Sequence, residues 1–360
     1  MNKVFFAHID WSLLVPVLIL SILGLTTLFS INSTYFFSQL VFILFSLCVF
    51  LFVTNVDIQA ARYFALPIYI VSFLILAFVL FLGIESRGAM RWVEVFGIRI
   101  QFSEILKPFL ILSFAGYLSH VDKTSFKSFF LIVVAIVAIA MLIVIQPDLG
   151  SGLIYLGVAF FALVIFGFPL LWFLIGFVGF AALTPFLWHF LHDYQQRRII
   201  TFLSPSHDPL GISYNAIQSM IAVGSGGFLG KGLGEGTQSS LRFLPERHTD
   251  FIFATLSENS GFIGMFIIFL CFGVLLYRLY TIFSQTEDVF FKLVCLCTFL
   301  LILIQFFINA GMNMGIVPVV GVTLPFVSYG GSSVLSNFIL LGIVSSISKN
   351  FTKPNALEIR

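Results

Sequence analysis

The sequence predicts an all-α integral membrane protein. It should have about ten transmembrane helices, both termini in the cytoplasm, and one large extracytoplasmic loop between helices 7 and 8. Three observations carry this expectation. Charged residues are 9% of the chain, against about 25% in ordinary soluble domains. Hydrophobic residues are 59%, and 47 of the 360 residues are Phe. The apolar residues are gathered into runs of roughly 20, the length at which a helix crosses the hydrocarbon of a bilayer.

Ten runs meet that length: 11–29, 35–53, 64–83, 102–118, 129–145, 151–168, 170–190, 251–277, 291–310 and 328–347. Backbone groups in lipid must bond internally, so these runs should be helices. Pro16, Pro67, Pro108 and Pro185 are expected to kink them. The run 11–29 is too long for a signal-peptide core and lacks a small-x-small cleavage site, so it reads as an uncleaved first span. An even number of spans puts both termini on one side, and Lys3, Lys349, Lys353 and Arg360 assign that side to the cytoplasm. Under this topology Lys and Arg divide nine and nine between the two sides. The outer cations, three of them in the short 84–101 loop, then suggest an anionic ligand outside. The chain reads as one polytopic domain, 1–360, with the loop 191–250 as its sizeable non-membrane segment.

Net charge is +2, and nothing in the charge pattern points to nucleic acid. Cys48, Cys271, Cys295 and Cys297 lie in apolar stretches and read as packing residues. No CxxC or His-rich run suggests a metal centre. The 224–236 segment holds seven glycines, but Ser225 and Gly232 stand at the wrong places for a phosphate-binding P-loop.

The ionisable residues that remain are informative because charge is expensive in a membrane. In "LPERHTDFIF" (244–253), Glu246, Arg247, His248 and Asp250 fall within five residues at the start of a span. Asp250 reads either as a helix N-cap or as a functional acid. His248 reads as an interfacial hydrogen-bonder or a ligand contact. Arg247, Arg242 and Arg91 carry the planar fork that suits phosphate oxyanions. Glu104 and Lys107 are three residues apart on one helix, so they form an ion pair or the charged wall of a cavity. Asp148 in "QPDLG" is a turn or cap residue, or a site acid. Glu258 lies two turns inside a span, where it pairs with another helix or serves function. The predicted topology gathers most of these groups at the outer face. That one-sidedness suggests work on an anionic, lipid-linked molecule there.

Four long stretches carry a resemblance: "FLPERHTDFIFA" (243–254), "QPDLGS" (146–151), "AIQSMIAVGSGGFLGKGL" (216–233) and "PVVGVTLPFVSYGGSS" (318–333). They resemble the SEDS family (shape, elongation, division and sporulation), in order along nearly the whole chain. "HDYQQRR" and "DPLG" make it more similar to the rod-shape branch than to the division branch.

The resemblance implies a ten-helix protein of the bacterial inner membrane. It implies polymerisation of peptidoglycan glycan strands from lipid II on the periplasmic side. It implies a class B penicillin-binding protein as transpeptidase partner, alongside other membrane proteins of the elongation complex. The family's essential acid matches Asp250, and its span-four Glu and Lys match Glu104 and Lys107. Arg247, Arg242, Arg91, Glu246, His248, Asp148 and Glu258 complete the candidate substrate-binding set. Two positions depart from the family: Phe102 stands for a Pro, and Asn259 stands for an acid beside Glu258. Inverting glycosyl transfer needs a base at the attacking hydroxyl and charge stabilisation at the leaving group. It requires no cofactor, although a divalent cation, Mg or Mn, at the pyrophosphate is compatible with it. The alternatives are a lipid II flippase, which would want ionisable groups at the midplane, and a non-catalytic scaffold.

Overall fold

A computed structural model describes residues 10–86, 89–95, 97–189, 196, 200, 213–241 and 243–352. Its elements are α1 (Trp11–Ile31), α2 (Ser33–Val53), α3 (Ala65–Leu82), β1 (Ile84–Ser86), β2 (Ala89–Val95) and β3 (Ile98–Ile100). They continue with α4 (Phe102–Ile105), α5 (Lys107–Leu118), α6 (Phe126–Ile145), α7 (Leu149–Phe166) and α8 (Leu170–Trp188). The rest are α9 (Tyr214–Ser225), α10 (Thr237–Ser240), α11 (Ile252–Gln285), α12 (Val289–Asn313) and α13 (Gly331–Thr352). Seven helices among the described residues are long and apolar enough to cross a membrane: α1, α2, α6, α7, α11, α12 and α13. Three shorter apolar helices, α3, α5 and α8, occupy the other predicted runs.

The all-α expectation needs one correction. The segment 84–100 is a three-stranded antiparallel sheet in the order β1-β2-β3. The residues "VEV" and "IRI" alternate apolar and charged, which suits a strand rather than a helix. Gly97 turns the chain between β2 and β3 at φ +77°, and Glu94 pairs opposite Arg99. Cross-strand opposite charges favour that register.

The proline expectations divide. Pro16 and Pro185 do lie inside α1 and α8. Pro67 falls in the first turn of α3, and Pro108 in that of α5. The missing N–H costs nothing in a first turn. The helix that was expected over 102–118 is instead interrupted at Leu106.

α13 packs on α2, α11 packs on α1 and α12, and α12 packs on α7. Close approach needs small residues: a Cβ at Gly24 of α1 would lie 2.4 Å from the Val327 carbonyl oxygen. At one end of the bundle the polar groups clamp helices together. Arg278 of α11 donates twice to Asp10 Oδ2 (2.6 and 2.9 Å), which also accepts from Ser348 of α13 (3.0 Å). Lys349 donates to the Thr54 carbonyl (2.7 Å). Arg62 pairs with Asp288, whose carboxylate also caps α12 through the Phe290 and Phe291 N–H groups.

Burial raises the Asp288 pKa. The Arg62 hydrogen bond and the two N–H groups outweigh that and hold it below the usual aspartate value. A depressed carboxylate contributes stability above its unfolded pKa of about 3.9 and loses it as pH falls through the folded value. The native protein in detergent should therefore unfold at a higher temperature than Asp288→Asn at pH 7. The gap should close below about pH 4; a gap independent of pH would refute this coupling.

Candidate functional site

The other end of the bundle is built from chain breaks. The motif 246–251 forms a tight turn before α11. Glu246 sits at φ +52°, and its carbonyl accepts from the N–H groups of Thr249 (3.1 Å) and Phe251 (3.3 Å). The N-cap of α11 is Phe251, so Asp250 stands one residue outside the cap position. Its carbonyl oxygen accepts from the side-chain amides of Asn309 and Asn313, each at 3.0 Å. Asn313 Oδ1 in turn takes the Ala254 N–H at 3.2 Å, one of the first-turn donors that a helix cannot satisfy itself.

A strap of irregular chain, 314–330, joins α12 to α13 and lies across this turn. Asn309 donates to the Val322 carbonyl (2.6 Å), Ser328 donates to the Thr249 carbonyl (2.8 Å), and the Tyr329 N–H donates to the His248 carbonyl (2.9 Å). Gln39 of α2 binds the strap through Ser328 and Gly330. Gly321 has φ +74°, and a Cβ there would lie 3.3 Å from Asp250 Oδ2. The strap thus runs beside the Asp250 carboxylate. The His248 ring stacks on Tyr35 at 4.3 Å, with Tyr329 alongside.

Across the strap lies a second polar centre. Asp148 is buried and accepts from Gln101 (2.7 Å), Ser103 (3.1 Å) and the Ser151 N–H (3.2 Å), which makes it the cap of α7. Arg91 of β2 approaches it at 3.7 Å. The Gln101 N–H donates to Ser332 at the start of α13 (3.1 Å). A Cβ at Gly150 would meet the Val320 carbonyl oxygen at 2.6 Å, so the strap presses directly on α7. Lys107 and Glu104 form a buried ion pair at 2.5 Å across the helix break. Glu104 Oε2 is buried with no hydrogen-bond partner among the described residues. Lys107 supplies charge to the wall of a mostly apolar cavity of about 280 Å³, lined also by Tyr69, Leu110, Ile136 and Tyr155.

Glu258 has a different task. It is fully buried and accepts from the Gln238 and Ser239 N–H groups (3.0 and 2.9 Å) and from Lys231 (3.3 Å). It anchors the glycine-rich segment to α11. α11 is broken at Gly261, which has φ +59° and ψ −156°. Gly227 and Phe228 accept from the N–H groups of Phe262 and Ile263, while Lys231 and Gly232 donate to the carbonyls of Glu258 and Asn259. The loop backbone fills the gap in the helix ladder, and Gly226, Gly230 and Gly261 permit the approach, since a Cβ at any of them would meet backbone atoms across the gap at 2.1–2.3 Å. Asn259, the departure from the family pattern, donates its amide to Ser30 of α1 at 3.3 Å.

Of the candidate residues, the structure joins Glu246, Arg247, His248 and Asp250 in one turn. It joins Arg91 to Asp148, and Glu104 to Lys107. It sets Glu258 apart as a loop anchor. Arg247 donates to the Ser239 carbonyl. Arg242 lies outside the described residues. No group of three or more His, Cys, Asp or Glu among the described residues could hold a metal. Sequence reasoning passed over Gln101, Asn309, Asn313 and Gly321. The available signal was a column of amides, Gln305, Asn309 and Asn313, at four-residue spacing within an apolar span.

Fold and site together define a multi-pass membrane protein with a polar centre assembled at one end. The chain belongs to the FtsW, RodA and SpoVE family of cell cycle proteins, whose family model matches residues 2–353. The peptidoglycan glycosyltransferase MrdB of Escherichia coli strain K12 is 42% identical over 284 residues, which cover 78% of this chain and 76% of that protein. Stage V sporulation protein E of Bacillus subtilis is 36% identical, covering 94% and 97%. The crystal structure of Thermus thermophilus rod shape determining protein RodA superposes with a TM-score of 0.73 at 25% identity, covering 97% and 99%. A chain from a peptidoglycan synthase complex, described as coordinating polymerization and crosslinking, reaches a TM-score of 0.83 at 30% identity, covering 96% and 99%.

Two glycines separate conformational strain from lack of space. Gly227 and Gly230 both have positive φ, at +58° and +83°. A Cβ at Gly227 meets nothing within 4 Å, whereas one at Gly230 would lie 2.2 Å from the Asn259 carbonyl oxygen. Gly227→Ala should cost about the 1–2 kcal/mol of left-handed strain. Gly230→Ala should cost clearly more. Thermal unfolding in detergent checks the order, and equal losses would contradict the docking of this loop.

Proposed function

We propose that this peptidoglycan glycosyltransferase polymerises glycan strands from lipid II, with Asp250 as the general base. The proposed topology has ten spans, with the Asp250 turn on the periplasmic side of the bacterial inner membrane. A class B penicillin-binding protein would crosslink the product strands, within a membrane complex serving elongation and rod shape.

In the proposed step the Asp250 carboxylate takes the proton of a GlcNAc 4-hydroxyl. That oxygen forms a β bond to the anomeric carbon of a lipid-linked MurNAc. The bond from that carbon to the pyrophosphate breaks, and undecaprenyl pyrophosphate leaves with the electron pair. A positioned base contributes about 10²–10⁴-fold in rate. Arg247, Arg242, Arg91 and Lys107 are the proposed cations for the pyrophosphate, because developing negative charge needs fixed positive partners. Glu104, Asp148, Glu246 and His248 would shape the surrounding pocket, and Glu258 the loop beside it. Any divalent cation, Mg or Mn, would be held mainly by the pyrophosphate itself.

The observation that carries this reading is the placement of Asp250. It precedes the cap position of α11, and Asn313 serves the Ala254 N–H in the first turn. Its carboxylate lies against a glycine of the strap, at the end of the bundle where the other candidate groups gather. A flippase reading would instead want ionisable groups at the midplane with paths to both faces.

The test is polymerisation of fluorescent lipid II by the protein with its cognate class B partner, whose transpeptidase site is blocked. Asp250→Asn should abolish glycan chains, with a loss of at least about 10²-fold, while leaving the complex intact. Equal chains from both proteins would remove Asp250 from the chemistry. No chains from either, with the complex intact, would favour a transporter or scaffold.

A further inference from the structure

We propose that Asn309 and Asn313 are positioning residues that set the reach of Asp250 by holding its main chain. The inference rests on the base role proposed above. Both side chains are fully buried, and they sit one turn apart on α12. Each amide nitrogen has two N–H groups, and the geometry uses all four. Asn309 donates to the Asp250 carbonyl (3.0 Å) and to the Val322 carbonyl (2.6 Å). Asn313 donates to the Asp250 carbonyl (3.0 Å) and to the Asn309 carbonyl (2.8 Å). The Asp250 carbonyl therefore has both lone pairs engaged.

One amide, Asn309, ties the acid-bearing turn to the strap. Val322 follows Gly321, the residue against which the Asp250 carboxylate lies. The spacing between carboxylate and strap is thus set through α12, a continuous helix, in addition to the direct strap-to-turn bonds of Ser328 and Tyr329. Asn313 adds the other half of the device. Its Oδ1 accepts the Ala254 N–H (3.2 Å) and the Ser219 hydroxyl (3.0 Å). An N-terminal donor of α11 is thereby served from a neighbouring helix, a task an Asp beside a helix start often performs itself.

The test uses Asn309→Asp and Asn313→Asp. Each keeps the side-chain shape and replaces the two-donor nitrogen by an oxygen. Asn313→Asp also keeps the acceptor for Ala254 and Ser219. Asp250→Asn runs in parallel, with Thr298→Val as a control on α12, where the hydroxyl donates to the Val294 carbonyl of its own helix. The assay is lipid II polymerisation by the intact complex, with kcat and KM resolved, beside thermal unfolding.

The expected result for both Asn variants is a kcat at least about tenfold lower, since a misplacement of ~1 Å costs up to ~10²-fold. KM should stay within about twofold, and Thr298→Val should match the native protein. Native kcat in both Asn variants, with Asp250→Asn inactive, would overturn the positioning role and spare the base. An active Asp250→Asn would remove the base and this inference with it. Parallel loss of folding, partner binding and both kinetic constants would show a structural role only.

Discussion

Inside a membrane every backbone N–H and C=O must find a partner, because each unsatisfied group costs several kcal/mol. This protein interrupts its apolar helices repeatedly: at Leu106, at Pro147, at Gly261 and along the strap 314–330. The breaks at Leu106 and Pro147 are bridged by backbone bonds within the local chain, whereas the groups freed at Gly261 and along the strap are paired across segments. The glycine-rich loop completes the ladder of α11. Two asparagines of α12 saturate the Asp250 carbonyl. Beside the Pro147 break, the Gln146 side chain ties this segment to α3 by donating to the Leu76 carbonyl at 2.8 Å.

The same constraint separates structural from functional charge. At one end Asp10, Arg278, Arg62 and Asp288 are paired with one another and clamp helices. Glu258 and Asp148 are buried and enclosed by donors, which is how a carboxylate is tolerated in a dry interior. Asp250 is half-buried, with its main-chain carbonyl held by two asparagine amides and a strap glycine beside its carboxylate. A rigid backbone with a reachable side chain is what general-base chemistry asks of a residue. The buried Glu104 and Lys107 pair places charge at the wall of a mostly apolar cavity.

Much of this was legible in the sequence, and the exceptions have physical reasons. The apolar runs appeared as helices because hydrocarbon permits little else. The "HTDF" and "QPDLG" acids were visible because charge is rare in such a chain. Asp148 carried the signature of a cap, and it caps α7. The sheet at 84–100 was missed because its strands are short and lie in a segment read only for its arginines. The strap falls almost wholly between the predicted spans 291–310 and 328–347, overlapping the last only at 328–330, and its apolar "PVV" and "LPFV" pieces carried no sign of what they pack against. Hydropathy cannot tell a helix from irregular chain buried in protein. Asn309 and Asn313 were overlooked because neutral amides raise no alarm in a charge count, although their four-residue spacing was available. The seven glycines of 224–236 were visible, but their role in filling a broken helix depends on contacts far along the chain, such as that of Gly230 with Asn259.

The central claim is that residue 250 faces the reacting hydroxyl. The most direct measurement is a structure of the Asp250→Asn variant, in complex with its transpeptidase partner, trapped with lipid II and a lipid-linked strand. The account predicts the acceptor 4-hydroxyl within about 3 Å of the residue 250 side chain. It also predicts the departing pyrophosphate beside the proposed cations. An acceptor bound elsewhere, with residue 250 turned into the first turn of α11, would contradict it.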